Sequence, residues 1–130
     1  MMDPLAGRIE LCLPPDSRYM RLARLMASGV ATTCGLPLEE VEDFRIAVDE
    51  LCHLLMSSTD DEISLSFGVL GRSVVARGRA TRRHGGPLTP LGELSRTIID
   101  SVADFHETYE RDAEMGFSVM KESRAPAVDG

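Results

Sequence analysis

Between Glu39 and Ser57 the chain reads EEVEDFRIAVDELCHLLMS, and this stretch restricts the fold more than any other. Val41, Phe44, Val48, Leu51, Cys52 and Leu55 recur at three- and four-residue spacing, which makes one apolar stripe along a helix. Such a stripe has to be covered by another layer of structure. On a different face Asp43, Ala47, Glu50 and Leu54 stack one turn apart. Asp49-Glu50 therefore lies inside the helix and not at a solvated end, and Glu50 points along a face with few other charges. Pro37 fixes a helix start, and Glu39 and Glu40 suit the positive end of the helix dipole.

The flanking segments supply the cover. Arg8 to Leu13 (RIELCL) alternates as a strand does and stops at Pro14-Pro15. Asp16-Ser17 can cap a helix whose stripe is Tyr19, Leu22, Ala23, Met26 and Val30, fraying between Thr32 and Gly35. After the polar turn at Ser57–Asp61, Ile63, Leu65 and Phe67 alternate with serines. A second strand follows Gly71, at Ser73 to Ala76, and the pair reads as a hairpin. Residues 77–92 carry several glycine and proline breakers and read as irregular. Leu94 to Ala103 has helical spacing, and Phe105–Tyr109 and Gly116–Met120 read as closing strands around Arg111-Asp112.

The order β-α-α-β-β-loop-α-β-β predicts an α+β two-layer sandwich, a mixed, mostly antiparallel sheet with helices on one face. One domain over residues 8–122 is expected, with flexible termini at 1–7 and 123–130. At 130 residues one core can bury roughly two-thirds of the unfolded surface. A formal charge of -7 disfavours direct contact with nucleic-acid phosphates. No apolar run reaches the roughly 18 residues that span a bilayer, and the acidic start is unlike a signal peptide. Three cysteines without CxxC spacing read as reduced thiols, so a cytoplasmic location is expected.

The block Val41-Glu42-Asp43-Phe44-Arg45-Ile46-Ala47-Val48-Asp49-Glu50-Leu51-Cys52, the opening Leu13-Pro14-x-Asp16-Ser17-x-Tyr19-x-x-Leu22 and the pattern of the last helix and strands resemble the anti-sigma-factor serine kinases. These are small proteins of the histidine-kinase-like (Bergerat) ATPase fold, and the likeness is greatest to their actinobacterial branch. It runs from Arg8 to about Lys121. In that family the helix reads Val-x-Glu-x-x-x-Asn: the glutamate activates the nucleophile or water and the asparagine binds magnesium. The resemblance makes Glu50 the catalytic base, here vestigial, because the asparagine position is Leu54. It carries the cofactor-binding role to Asp49, Leu54, Gly78, Arg79, Gly85 and Gly86.

The departures fall on the cofactor. The family's Asp-x-Gly-x-Gly box, whose aspartate accepts from adenine, corresponds to Ala76-Arg77-Gly78-Arg79-Ala80-Thr81, and residues 63–92 contain no Asp or Glu. The phosphate-cradling glycines survive as Gly85-Gly86 and Gly92, and the late Gly-Gly-Thr element as Met115-Gly116-Phe117-Ser118. A carboxylate on adenine is worth roughly 1.5–3 kcal/mol, and losing a metal ligand leaves triphosphate charge under-neutralised. Arg77, Arg79, Arg82 and Arg83 could compensate by binding phosphate. The expectation is weak ATP and magnesium binding or none, with impaired or lost phosphotransfer.

Other chemistry is poorly supported. Glu50-x-x-His53 has the spacing of a di-iron half-site, but His84 and His106 lack the second half, so no metal site is expected. Cys52 and His53 point about 100° apart on a helix, which favours a core thiol over a nucleophile. What the resemblance leaves is binding. Arg18, Arg21 and Arg24 are spaced by three residues, and Arg21 matches the family arginine that contacts the sigma factor, although a plain basic edge would read the same.

The resemblance implies an alternative sigma factor and a STAS-type anti-anti-sigma factor as partners. It also implies a homodimer through a sheet edge, for which the closing strands are one candidate. Three readings follow. The first is sigma sequestration within a partner-switching system, the second an active serine kinase of the STAS-type antagonist, and the third a nucleotide or ligand sensor without a sigma partner.

Overall fold

The computed structural model describes residues 5–83 and 91–123. The chain runs through β1 (Ala6–Leu13), α1 (Met20–Thr33), α2 (Leu38–Met56), β2 (Ile63–Leu70), β3 (Ser73–Thr81), α3 (Glu93–Val102), β4 (Phe105–Arg111) and β5 (Glu114–Glu122). The strands form one sheet in the order β1-β2-β3-β5-β4. Among the described residues every pairing is antiparallel, so the sheet shows no parallel component of the mixed, mostly antiparallel arrangement expected. Leu70 to Ser73 and Arg111 to Glu114 are tight turns that make their strands antiparallel neighbours, whereas β1 reaches β2 only through α1 and α2.

Strand alternation builds the core. Ile63, Leu65 and Phe67 of β2, Val74, Ala76 and Ala80 of β3, and Met115, Phe117 and Val119 of β5 form one cluster with the helices. The predicted stripe of α2 is buried at every position, from Val41 at 5% exposure to Val48 and Leu51 at 0%. Met20, Ala23, Ala27, Val30 and Ala31 bury the inner face of α1. Asp16 caps a short 3-10 turn at Ser17–Tyr19 that leads into α1, its carboxylate accepting from the Arg18 backbone N–H at 3.0 Å. The helix ends at Thr33, where Gly35 takes φ +86°.

Several strand boundaries differ from the sequence expectation, β4 running on to Arg111 and β5 spanning Glu114–Glu122. β1 begins at Ala6, with Gly7 at φ +59° in a bulge between Ala6 and Ile9. β3 continues to Thr81, where irregular chain was expected from Arg77. Arginines at 77 and 79 alternate with Ala76, Gly78 and Ala80, so the strand period persists while the residue types look like loop. Of the termini expected to be flexible at 1–7 and 123–130, residues 1–4 and 124–130 lie outside the described residues, as do His84, Gly85 and Gly86.

Two glycines of the resembling boxes have packing reasons. Gly78 lies opposite Phe117, and a Cβ there would fall within the contact distance of the phenyl ring. A Cβ on Gly116 would lie 2.5 Å from the Gly78 carbonyl oxygen and 2.6 Å from the Tyr109 ring. Neither needs glycine for its dihedral angles. Both need it for space.

Cys52 is buried on the α2 stripe, and desolvation raises its thiol pKa, with Asp49 adding to the shift. It is a core thiol. In native protein Cys52 should resist Ellman's reagent while exposed Cys12 reacts, and it should become reactive only on unfolding. Mapping the labelled peptide by mass spectrometry checks this; early label on Cys52 would contradict its burial.

Candidate functional site

The second face of α2 is partly covered, with Ala47 and Leu54 buried and Asp43 and Glu50 half-buried. Near its start Asp43 reaches Lys121 of β5, Oδ2 to Nζ 3.4 Å. Two turns on, Glu50 accepts a hydrogen bond from Ser95 of α3, Oγ to Oε2 2.8 Å. Glu50, His53, Leu54 and Ser57 of α2, with Leu91, Gly92 and Ser95 at the start of α3, line a cavity of about 290 Å³. Glu50 is half-buried, and Leu54, 7% exposed, forms part of the wall.

Asp49 faces elsewhere. One residue along a helix turns the side chain by about 100°, so Asp49 leaves the cavity and meets Arg24 of α1, Oδ1 to Nη1 2.9 Å. His53 Nε2 is 3.8 Å from the same oxygen. The adjacent carboxylates thus tie α2 to different helices, Asp49 to α1 and Glu50 to α3. Asp49, expected among the cofactor-binding residues, is placed against Arg24 and is not among the described residues that line the cavity.

None of the arginines expected to hold phosphate is among the described residues lining the cavity, although Arg83 borders it through Ser57. Arg82 pairs with Glu110 of β4. Arg83 reaches Asp60 at 3.1 Å and the Ser57 carbonyl oxygen at 3.4 Å, so it sits as a cation at the negative end of α2. Arg79 is on the outer face of the sheet with Gly116 and Tyr109, the consequence of strand alternation. Gly78 is on the helix face but lies under Phe117, and neither it nor Arg79 lines the cavity. Gly85 and Gly86 lie outside the described residues.

Magnesium takes several oxygen ligands and usually retains waters and phosphate oxygens. Among the described lining residues the only carboxylate is Glu50, already bonded to Ser95. No cluster of three or more His, Cys, Asp or Glu suited to a metal occurs among the described residues. This donor set does not fit a magnesium–triphosphate complex.

The three arginines at the first helix do not form one free basic row. Arg18 pairs with Asp16 at 2.9 Å and lies over the Tyr19 ring at 5.6 Å. Arg24 is held by Asp49. Arg21 is exposed, and its neighbours Leu22 and Leu25 are 43% and 61% exposed. Sequence spacing alone did not separate these three: Arg18 is taken by Asp16 two residues before it, and Arg24 by Asp49 of α2, 25 residues on. Ser95 was likewise unreadable as a partner of Glu50: the two are 45 residues apart.

The antiparallel five-stranded sheet backed on one face by three helices, with Glu50 deep in the second helix facing the start of the third, is consistent with the histidine-kinase-like ATPase sandwich. Known proteins narrow this. The chain is similar to Serine-protein kinase RsbW of Bacillus subtilis strain 168, 38% identical over 69 residues, 49% of this chain and 43% of that protein. It is also similar to RsbW of Bacillus velezensis, 36% identical over 73 residues, and of Listeria innocua, 33% identical over 73 residues, each match covering 52% of this chain and 46% of the relative. The matched stretch is thus about half of this chain and less than half of each relative. These relatives support the anti-sigma serine kinase family that the sequence resembles. No protein-family model matches the chain. No helix among the described residues is long and apolar enough to cross a membrane.

Proposed function

We propose that this protein is a cytoplasmic anti-sigma regulator that sequesters an alternative sigma factor and is released by a STAS-type anti-anti-sigma factor, with ATP-dependent kinase activity impaired or lost. The observation that carries the loss is Leu54: a buried leucine forms the cavity wall one turn beyond Glu50, where the resembling family places its magnesium ligand. A leucine has no lone pair for a metal. The observation that favours binding is Arg21, exposed beside apolar, exposed Leu22 and one turn before Leu25 at the opening of α1. A cation framed by apolar surface is the usual composition of an interface anchor.

A second reading, an active serine kinase of the STAS-type protein, is favoured by the name of the relatives, serine-protein kinase, and by the presence of Glu50. Calorimetric titration with ATP and magnesium separates the two. Sequestration without catalysis expects no magnesium-dependent binding in the micromolar range; tight, magnesium-dependent binding would establish the kinase. Affinity capture from the native host should recover an alternative sigma factor, and Arg21→Glu should reduce that capture by at least tenfold, about 1.4 kcal/mol. Recovery of no sigma factor would leave a ligand sensor as the better reading. Leu54→Asn should leave phosphotransfer at background, because the phosphate-side arginines stay paired with Glu110 and Asp60. Strong activity from that single change would show that the remaining pocket is competent.

A further inference from the structure

The apolar groove between α1 and the β1 edge, about 540 Å³, opens on the side of the sheet that carries the helices. The other side receives every second side chain of each strand and is largely polar. There, at the middle of the sheet, β3 presents two arginines. Arg77 stands between Ser66 of β2 and Ser118 of β5, and Arg79 between Ser64 and Gly116. Beyond Gly116 lies Tyr109 of β4, its ring against that glycine. Arg79 is exposed and makes no ion pair among the described residues. The cross-strand row of Arg77 ends in carboxylates on both edge strands, Glu10 and Glu107, whereas the row of Arg79 holds none. One row further, Glu114 is held by the Tyr109 hydroxyl at 3.1 Å.

We infer that this outer face docks an extended acidic segment of another protein, with carboxylates at alternate positions, laid along β3. Charge and spacing together select the occupant. Same-face residues of a strand repeat roughly every 6–7 Å, so carboxylates two residues apart in an extended segment meet Arg77 and Arg79 in register. A guanidinium takes a carboxylate through two parallel hydrogen bonds. The short side chains on either side, Ser64, Ser66 and Ser118, leave that approach open. Past Arg77 the face turns apolar, with Val75 opposite Met120 and Met120 opposite Phe105, which is 45% exposed. An apolar residue two places from the acid pair would cover that phenyl ring. Arginine together with tyrosine and phenylalanine is the composition enriched at protein interfaces.

The formal charge of -7 works against a polyanion such as nucleic acid at long range, and much less against a segment with two charges. Arg77 and Arg79, which the resemblance offered to phosphate, thereby receive a different anion on the face turned away from the cavity at Glu50. This surface goes beyond the proposed function. It uses neither the cavity nor Arg21, so it stands or falls independently of both.

The test is a titration of the nitrogen-15-labelled full chain, followed by amide chemical shifts. The probe is an end-capped peptide with leucine, glutamate and glutamate at alternate positions and threonine between them. Exposed ion pairs are weak, so a millimolar dissociation constant is expected, rising with salt. The shifts should centre on β3 and its neighbours in β2 and β5. Replacing both glutamates of the peptide by glutamine should raise the dissociation constant roughly tenfold or more. Arg79→Glu should do the same with an unchanged circular dichroism spectrum, while Arg96→Glu on α3 should not. If Arg79→Glu fails to fold, the glutamine peptide on wild-type protein still decides. No shifts at millimolar peptide would overturn the inference, and so would shifts centred on the helices or equal binding of the glutamine peptide. Tighter binding of a single-stranded oligonucleotide at the same residues would reject the proposed occupant.

Discussion

Alanine at Gly116 is expected to destabilise the fold by about 1–3 kcal/mol, the range for overpacking a filled interior. The added methyl would meet the Gly78 carbonyl oxygen at 2.5 Å and the Tyr109 ring at 2.6 Å. A ring can rotate aside, but the carbonyl belongs to the ladder of the central strand β3 and has nowhere to go. Gly78→Ala should be milder, because its obstruction is the Phe117 side chain alone. Pairing Gly78→Ala with Phe117→Leu should recover part of the loss, whereas the same Phe117→Leu change should not rescue Gly116→Ala. Urea denaturation of the four variants measures both, and equal rescue at the two glycines would refute the distinction between side-chain and backbone obstruction. Glycines that resemble remnants of nucleotide boxes are thus accounted for by sheet packing.

Lys121→Met is the second large effect, expected at about 3 kcal/mol, the lower end for breaking a buried ion pair. The lysine side chain is 4% exposed, and its ammonium donates to the Val102 carbonyl oxygen at 2.9 Å, with Asp43 at 3.4 Å and Asp104 at 4.0 Å. One group therefore joins α2, the end of α3, the start of β4 and β5. Methionine keeps the aliphatic packing and removes only the charge, so the loss isolates the electrostatic contribution. The carboxylates are partly solvated, Asp43 at 37% and Asp104 at 25%, which lets water recover some of what they lose. Asp43→Asn should accordingly cost less than Lys121→Met. The loss should also persist in high salt, since screening acts weakly on a buried cation. A Lys121→Met variant as stable as wild type would mean the ammonium is compensated in its absence.

The apolar stripe of α2 was legible because helical spacing is a local property: Val41, Phe44, Val48, Leu51, Cys52 and Leu55 had to share a face, and all are buried. The same held for the inner residues of β2 and for the turn that follows α2. The extent of β3 was not legible, since Arg77 and Arg79 are surface-type residues and only the neighbouring strands reveal that they stand on an ordered face. Charge roles were least legible. Asp49 and Glu50 are neighbours in sequence, yet Arg24 takes one and Ser95 the other.

Sequence alone determined the elements, the burial of the second helix and the absence of a metal-ligating side chain at Leu54, because each depends on residue type and near-neighbour spacing. Tertiary structure decided which cations are already paired, what lines the cavity at Glu50, and that the apolar surface of α1 opens onto the β1 edge. Those outcomes depend on contacts between segments far apart in the chain, whose geometry is set only when the helices settle on the sheet.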